Sequence, residues 1–235
     1  MTSVAIIGVA LGMRHGADPD HLAAIDGLTR IRPRASNGVY FALGHALVMT
    51  ILAVGMGRLV AGRFAFLGPW SLILLGVVNL WRLLRGSNQV QPHKHLRIAQ
   101  PFLLGMLLAA GFETASQLSA LILAGQNNAF LVGAAFSSGM LLVDGLDGYL
   151  AASTLRLATF GEARAKSASR VLGIIVVIFA FSLGGAELIG VELAGVALPL
   201  GLSLFMVVLG IRIWARGEWL SPERSSHFRG LQSGK

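Results

Sequence analysis

The sequence predicts an all-α, polytopic membrane protein: a bundle of about seven transmembrane helices. Of its 235 residues, 54% are hydrophobic and only 13% are charged, whereas a soluble domain typically carries about 25% charged residues. The apolar residues form long runs separated by short polar loops. The chain also holds 30 glycines, which suit the close approach of helix backbones in a membrane bundle.

Seven apolar segments are long enough to cross a bilayer, which takes about 20 helical residues. They cover residues 3–29, 37–61, 66–84, 99–124, 130–156, 170–189 and 195–214. Together they define a transmembrane transport domain over residues 1–216. The polar and basic segment 217–235 is predicted to be a disordered cytoplasmic tail.

The basic residues predict an orientation for the bundle. With the N-terminus outside and the C-terminus in the cytoplasm, all of the 19 Lys and Arg residues except Arg14, Arg58 and Arg63 fall in inner loops or the tail. Short basic loops stay on the cytoplasmic side. We therefore expect a multi-pass protein of a bacterial-type inner (cytoplasmic) membrane. The net charge of +8 comes from these loops and does not indicate a nucleic-acid partner.

The absence of cysteine restricts the chemistry open to this chain. With no Cys, disulfides and thiolate metal sites are excluded. A bound metal ion would have nitrogen and oxygen ligands, which suit Ni(II), Co(II), Zn(II) or Mn(II).

The first segment carries the densest group of polar residues, in the sequence RHGADPDHLAAID. On insertion scales each such charge in a bilayer costs about 2.5–3.5 kcal/mol, so these residues are expected to face a partner, a cavity or an ion. Imidazole and carboxylate together are ligands for a divalent transition metal. On a continuous helix His15, Asp18, His21 and Asp26 share one face, and Asp20 points away.

Pro19 interrupts this motif. It cannot donate a hydrogen bond to the carbonyl of His15, and its ring crowds that carbonyl, so the helix is predicted to kink or break there. The freed carbonyl could then bind a cation, and the break could turn Asp20 toward the site. Broken helices at membrane depth commonly mark the binding sites of transporters.

Three further segments place polar side chains inside the bundle. His45 in FALGHAL is predicted to join the histidines of the first segment, because a site in a bundle draws ligands from several helices. Glu113 lies in GFETASQL, and Asp144 and Asp147 share a face in VDGLDG. The two aspartates either orient the histidines or relay protons. Interhelical hydrogen bonding is the alternative for all of these residues.

These arguments give one predicted metal site. Its candidate metal ligands are His15, His21 and His45, and Asp20 joins them if the break turns its side chain toward the site. The side chains that are predicted to contact and orient the ligands, or to line the ion pathway, are Asp18, Asp26, Glu113, Asp144 and Asp147. Arg14 is the expected basic partner of the buried carboxylates.

Four motifs resemble the signatures of the nickel/cobalt transporter (NiCoT) family. HGADPDHLAAID is similar to H-A-x-D-A-D-H-I-A-A-I-D, FALGHA to FSLGHS, AGFETASQ to LGFDTATE, and VDGLDG to MDTxDG. The resemblance implies a secondary permease that imports Ni²⁺ or Co²⁺ as its substrate and needs no cofactor. In length the chain resembles the short, urease-linked relatives. Pro19, Glu113 and Gln117 depart from the family pattern and leave the choice between the two metals open.

Two other functions are weighed against the permease. An intramembrane metalloprotease would carry H-E-x-x-H, with Glu as the general base, but His15 and His21 are six residues apart with no Glu between them. A membrane subunit of a multi-component importer is the second alternative. The match to single-chain permeases favours a transporter, not an enzyme, that works in the lipid bilayer on a divalent metal ion.

Overall fold

The computed structural model describes residues 2–53, 66–85, 99–111, 115–191 and 194–216. In chain order the helices are α1 Thr2–Gly16, α2 Pro19–Ile31, α3 Asn37–Ala53, α4 Leu67–Leu84, α5 Ala99–Gly111, α6 Ala115–Gln126, α7 Ala129–Thr159, α8 Ala163–Leu188 and α9 Ala194–Arg216. These residues contain no strand, as the all-α prediction requires. Glu113 and the predicted tail lie outside the described residues.

Several helices have the length and composition of membrane spans. Four segments of the described chain are long and apolar enough to cross a bilayer: Leu67–Leu84, Ala129–Thr159, Ala163–Leu188 and Pro199–Arg216. Large apolar side chains such as Leu74, Leu142 and Met206 are exposed on the outer surface, where lipid would cover them. The molecule is a multi-pass helical membrane protein.

The first predicted segment is two helices. The chain leaves α1 after Gly16, and Asp18 is extended (φ −64°, ψ 147°) immediately before Pro19 begins α2. A residue that precedes proline avoids the helical region, and proline suits the first position of a helix. The predicted break at Pro19 is confirmed. The predicted free carbonyl is wrong, because the amide of Asp18 donates to the carbonyl of His15 at 2.9 Å.

The fourth segment, 99–124, is helical over Ala99–Gly111 and Ala115–Gln126, and residues 112–114 lie outside the described residues. One other predicted boundary changes, that of the sixth segment. The sixth begins at Ala163 and not at residue 170, because Ala165 and Ala168 are buried against Ala158 and Ala215. The buried alanines hold the first turns of this helix against its neighbours. The polar residues between them made the same stretch look like a loop in the sequence.

Helix α2 lies at the centre of the bundle. It contacts α1, α3, α4, α5, α7, α8 and α9, and most of its 13 residues are buried. At 1.5 Å per residue it is about 20 Å long, too short to cross a hydrocarbon core of about 30 Å. The protein therefore encloses a short polar helix, which begins inside the bundle at the break.

Helices α1 and α7 run parallel and touch through glycines. A Cβ atom at Gly12 would overlap the carbonyl oxygen of Phe136, and one at Gly139 would overlap the carbonyl oxygen of Val9. Glycine lets two helix backbones approach this closely in a membrane protein. The contact holds the end of α1, and with it His15, against α7.

The substitution Gly139→Ala is expected to destabilise the protein by about 1–3 kcal/mol, because the new methyl group overpacks the α1–α7 contact. The measurement is the thermal unfolding midpoint of the purified protein in detergent. Gly185→Ala in α8 is the matched control, since a Cβ there meets no atom within 4 Å. Equal midpoints for the two variants would contradict the close contact.

Candidate metal centre

Three histidines meet in the interior of the bundle. His15 lies in the last turn of α1, His21 in the first turn of α2, and His45 in α3. One ring nitrogen from each lies within 4.8 Å of the others, and all three side chains are 0% exposed. The ring centroids are 4.4–4.8 Å apart. We call these residues the histidine group.

The break before Pro19 lets His15 and His21 meet. On a continuous helix, His15 and His21 would lie at opposite edges of the predicted polar face, about 120° apart, with their rings pointing in different directions. Because α1 ends at Gly16 and α2 starts afresh at Pro19, the two rings come to 4.4 Å. Phe41 packs edge-on against His21, with ring centroids 4.9 Å apart.

The spacing of the ring nitrogens suits a small divalent ion. Nε2 of His15 lies at hydrogen-bond distance, 2.9 Å, from Nε2 of His45. Imidazole nitrogens bind zinc at about 2.0–2.1 Å, and two ligands at that distance and at a right angle are about 3 Å apart. Right angles occur in the square-planar and octahedral arrangements of transition-metal sites.

Two of the imidazoles donate hydrogen bonds to carboxylates. Nδ1 of His15 donates to Asp18 at 2.9 Å, and Nδ1 of His21 donates to Asp144 at 3.1 Å. With the proton on Nδ1, each Nε2 keeps its lone pair. Nε2 of His21 is buried and has no hydrogen-bond partner among the described residues. Carboxylates orient metal-binding histidines in this way.

Two neighbours of His45 were not among the predicted site residues. The side-chain nitrogen of Gln117 lies 3.0 Å from Nε2 of His45 and donates to Sδ of Met49 at 3.2 Å. Gln117 belongs to the same polar motif as Glu113, and this motif could have identified it as a site residue. Met49 is an apolar residue in an apolar helix and gives no such signal.

Asp20 lies beside the histidine group but outside it. The side chain is buried in the first turn of α2, and its Oδ2 has no hydrogen-bond partner within the described part of the chain. Its carboxylate is not among the ligand atoms that lie within 4.8 Å of one another. That Asp20 binds a metal ion therefore remains a prediction from the sequence.

Asp26 and Asp147 form a separate ion cluster with two arginines. Arg212, which is 1% exposed, donates to Asp26 at 2.8 Å and to the carboxylate of Asp147. Arg30 donates to the other oxygen of Asp26 at 2.7 Å. We call these four residues the arginine cluster.

The arginine cluster corrects three expectations. Asp26 does not share a face with His15, because the break rotates α2 relative to α1. Arg14 is not the basic partner of Asp26 or Asp147, whose partners are Arg30 and Arg212. These two arginines were assigned to inner loops, yet they lie within α2 and α9.

The charges of the two groups differ in a way that favours a cation at the histidines. The arginine cluster pairs two carboxylates with two guanidinium groups. At the histidine group, Asp144 contacts the imidazole of His21, and Oδ2 of Asp20 is buried without a hydrogen-bond partner in the part of the chain that the structure describes. A divalent ion bound there would offset negative charge that is costly to bury alone.

Comparison with known proteins identifies relatives. Residues 1–64 match the NicO family, described as high-affinity nickel-transport protein. The nickel transporter NixA of Staphylococcus aureus is 30% identical in an alignment of 240 positions that covers 78% of this chain and 71% of NixA. The high-affinity nickel transport protein of Cupriavidus necator is 26% identical, over 81% of this chain and 70% of its own. The cobalt transport protein NhlF of Rhodococcus rhodochrous is 26% identical, over 64% of this chain and 58% of NhlF.

No solved structure gives a significant match to the chain. The region that matches NicO contains all three members of the histidine group, and the similarity to NixA extends over most of both chains. The chain belongs to the nickel/cobalt transporter (NiCoT) family.

Proposed function

We propose that this chain is a secondary permease that imports Ni²⁺ or Co²⁺ across the cytoplasmic membrane. The observation that carries the proposal is the buried histidine group, in which carboxylates hold two of the three imidazoles. Family members are transporters and not enzymes, and the relatives are named for nickel and cobalt transport. The ion is the substrate of the protein.

In this proposal the ion is held by the ring nitrogens of His15, His21 and His45. Asp18 and Asp144 keep Nδ1 of two rings protonated, so that the lone pair of each ring that can bind the metal is on Nε2. Asp20, whose Oδ2 is buried without a hydrogen-bond partner among the described residues, is the proposed oxygen ligand. Nitrogen and oxygen ligands without sulfur suit Ni²⁺ and Co²⁺.

We also propose seven membrane crossings. Helix directions support this number. Gly8 meets Ala135 and Gly16 meets Val143, so α1 runs parallel to α7. By the same reasoning α2, α4 and α9 also run in this direction, and α3, α5 and α8 run in the opposite one. If α1 with α2, and α5 with α6, each form one crossing, successive crossings alternate. The basic residues then place the N-terminus outside and segment 217–235 in the cytoplasm.

Transport requires the bundle to open, because the histidine group is fully buried. The ion would enter when the helices part on the outer side and leave when they part on the inner side. A divalent cation that moves inward gains about 4.6 kcal/mol per 100 mV, twice the value for a single charge. The membrane potential could therefore drive accumulation without ATP.

The test is uptake of radioactive nickel into proteoliposomes that contain only this purified chain. We expect uptake above that of empty liposomes, and faster uptake when the interior is made negative. Correctly reconstituted protein that takes up neither Ni²⁺ nor Co²⁺ would contradict a self-sufficient permease and favour the multi-component importer.

A further inference from the structure

Arg212 joins three helices at one buried point. From α9, its Nη2 reaches Asp26 of α2 at 2.8 Å. Its Nη1 contacts both the carboxylate and the backbone carbonyl of Asp147 in α7. The guanidinium group thus lies between two carboxylates that belong to different helices.

The arginine cluster lies next to the histidine group along two helices. On α2, Asp26 follows His21 by five residues, about 7.5 Å along the axis. On α7, Asp147 follows Asp144 by three residues, about 4.5 Å. Because α2 and α7 run in the same direction, both steps lead toward the C-terminal end of α2, the proposed cytoplasmic side. An ion that leaves the histidines in that direction meets Asp26 and Asp147.

The bonding of Arg212 is incomplete for a purely structural ion pair. Nε of Arg212 and Oδ2 of Asp147 are buried and have no hydrogen-bond partner among the described residues. Buried ion pairs stabilise a fold only when their remaining polar atoms are also satisfied. If Arg212 moves away, Asp26 keeps Arg30 as a partner, since that bond uses its other oxygen.

The packing of α9 leaves a small gap beside Asp26. A cavity of about 10 Å³ lies beside Asp26 between α2, α8 and α9, and apolar side chains such as Val176 and Val208 line it. Pro199 lies inside α9 and removes one of the backbone hydrogen bonds that stiffen a helix. Gly201 packs against the break between α1 and α2, about 17 Å along the axis of α9 from Arg212.

We propose that Arg212 is the inner gate of the transport path. Its guanidinium group holds Asp26 and Asp147 together in the closed state, and the ion passes when Arg212 releases one of these carboxylates. Arg212 does not bind the ion. It acts as a tethered cation that occupies the exit until α9 moves. The inference rests on the proposed function, because it concerns the route of the transported ion.

The test uses a single introduced thiol. The chain has no cysteine, so Ala23→Cys places one reactive group beside Asp26, at a residue that is 2% exposed and lines the cavity. A membrane-impermeant maleimide is added to inside-out vesicles and the rate of labelling is measured. The gate variant is Arg212→Gln with Asp147→Asn, which removes one charge of each sign and leaves Asp26 paired with Arg30. We expect labelling to rise by about tenfold or more.

Nickel binding separates a gate from a structural role. The gate variant is expected to bind Ni²⁺ within about threefold of the parent, since the histidine group is intact, and to release preloaded Ni²⁺ from proteoliposomes faster. Unchanged labelling in a variant that still binds Ni²⁺ would overturn the gate. If the parent itself binds no Ni²⁺, the proposed function fails, and the labelling rate still decides whether Arg212 closes this path.

Arg212→Lys provides a second variant in case the double variant does not fold. Lysine keeps the charge but lacks the planar fork that reaches two carboxylates at once. We expect Ni²⁺ binding to be retained, Ala23→Cys to label faster, and the maximal rate of uptake to change more than the KM. Labelling and uptake rates equal to those of the parent would overturn the gate.

Discussion

His21→Ala is expected to abolish both Ni²⁺ binding and Ni²⁺ uptake. The His21 side chain is fully buried, Asp144 fixes its Nδ1, and its Nε2 has no hydrogen-bond partner among the described residues. Removal of a side chain that only orients a ligand costs about 10–100-fold in metal affinity. Removal of the ligand itself should cost more, because the ion loses one of three nitrogen donors.

The measurement pairs equilibrium binding of radioactive nickel to purified protein with uptake into proteoliposomes. His227→Ala is the control, since it removes one histidine from the sequence segment that lies outside the described residues. We expect that variant to bind and transport like the parent. Normal Ni²⁺ binding by folded His21→Ala protein would contradict the proposed site.

Asp144→Asn is expected to weaken Ni²⁺ binding by about 10–100-fold while leaving the fold intact. Asparagine has the shape of aspartate, so the packing of this side chain beside Gly16 is kept. The carboxylate can only accept a hydrogen bond, whereas the amide can also donate one. An amide N–H facing Nδ1 of His21 would move the ring proton to Nε2 and block the metal-binding lone pair.

This prediction is measured as the Ni²⁺ dissociation constant and the KM for uptake, with the unfolding midpoint as a check on folding. Glu162→Gln makes the same acid-to-amide change in the turn between α7 and α8, and we expect it to leave both constants unchanged. Higher external Ni²⁺ should restore much of the uptake by Asp144→Asn. A variant with unaltered affinity would show that Asp144 does not control the proton on His21.

The sequence carried strong local signals for part of this structure. Long apolar runs predicted the helices, and the missing N–H of Pro19 predicted the break that creates α2. The polar motif predicted that His15 and His21 lie inside the bundle, and the structure places them beside His45. These features depend on neighbouring residues or on the cost of polar groups in lipid, so a single sequence is enough to suggest them.

The arginine cluster had no such local signal. Arg212 contacts Asp26 and Asp147, residues that lie far apart in the chain and meet only when α2, α7 and α9 pack together. An arginine near the end of an apolar segment looks like a cytoplasmic anchor when basic residues are counted by loop. The helical wheel placed Asp26 with His15 because it assumed a continuous helix, and the break changes the relative rotation of the two halves.

The most direct test of the central claim is X-ray absorption spectroscopy of Ni²⁺ bound to the purified chain. For the parent protein, the proposed site predicts the multiple-scattering pattern of three imidazole ligands, with oxygen as the remaining ligands. For His45→Ala it predicts the pattern of two imidazole ligands. A spectrum of the parent protein with oxygen ligands alone would contradict the claim that the histidine group holds the transported ion.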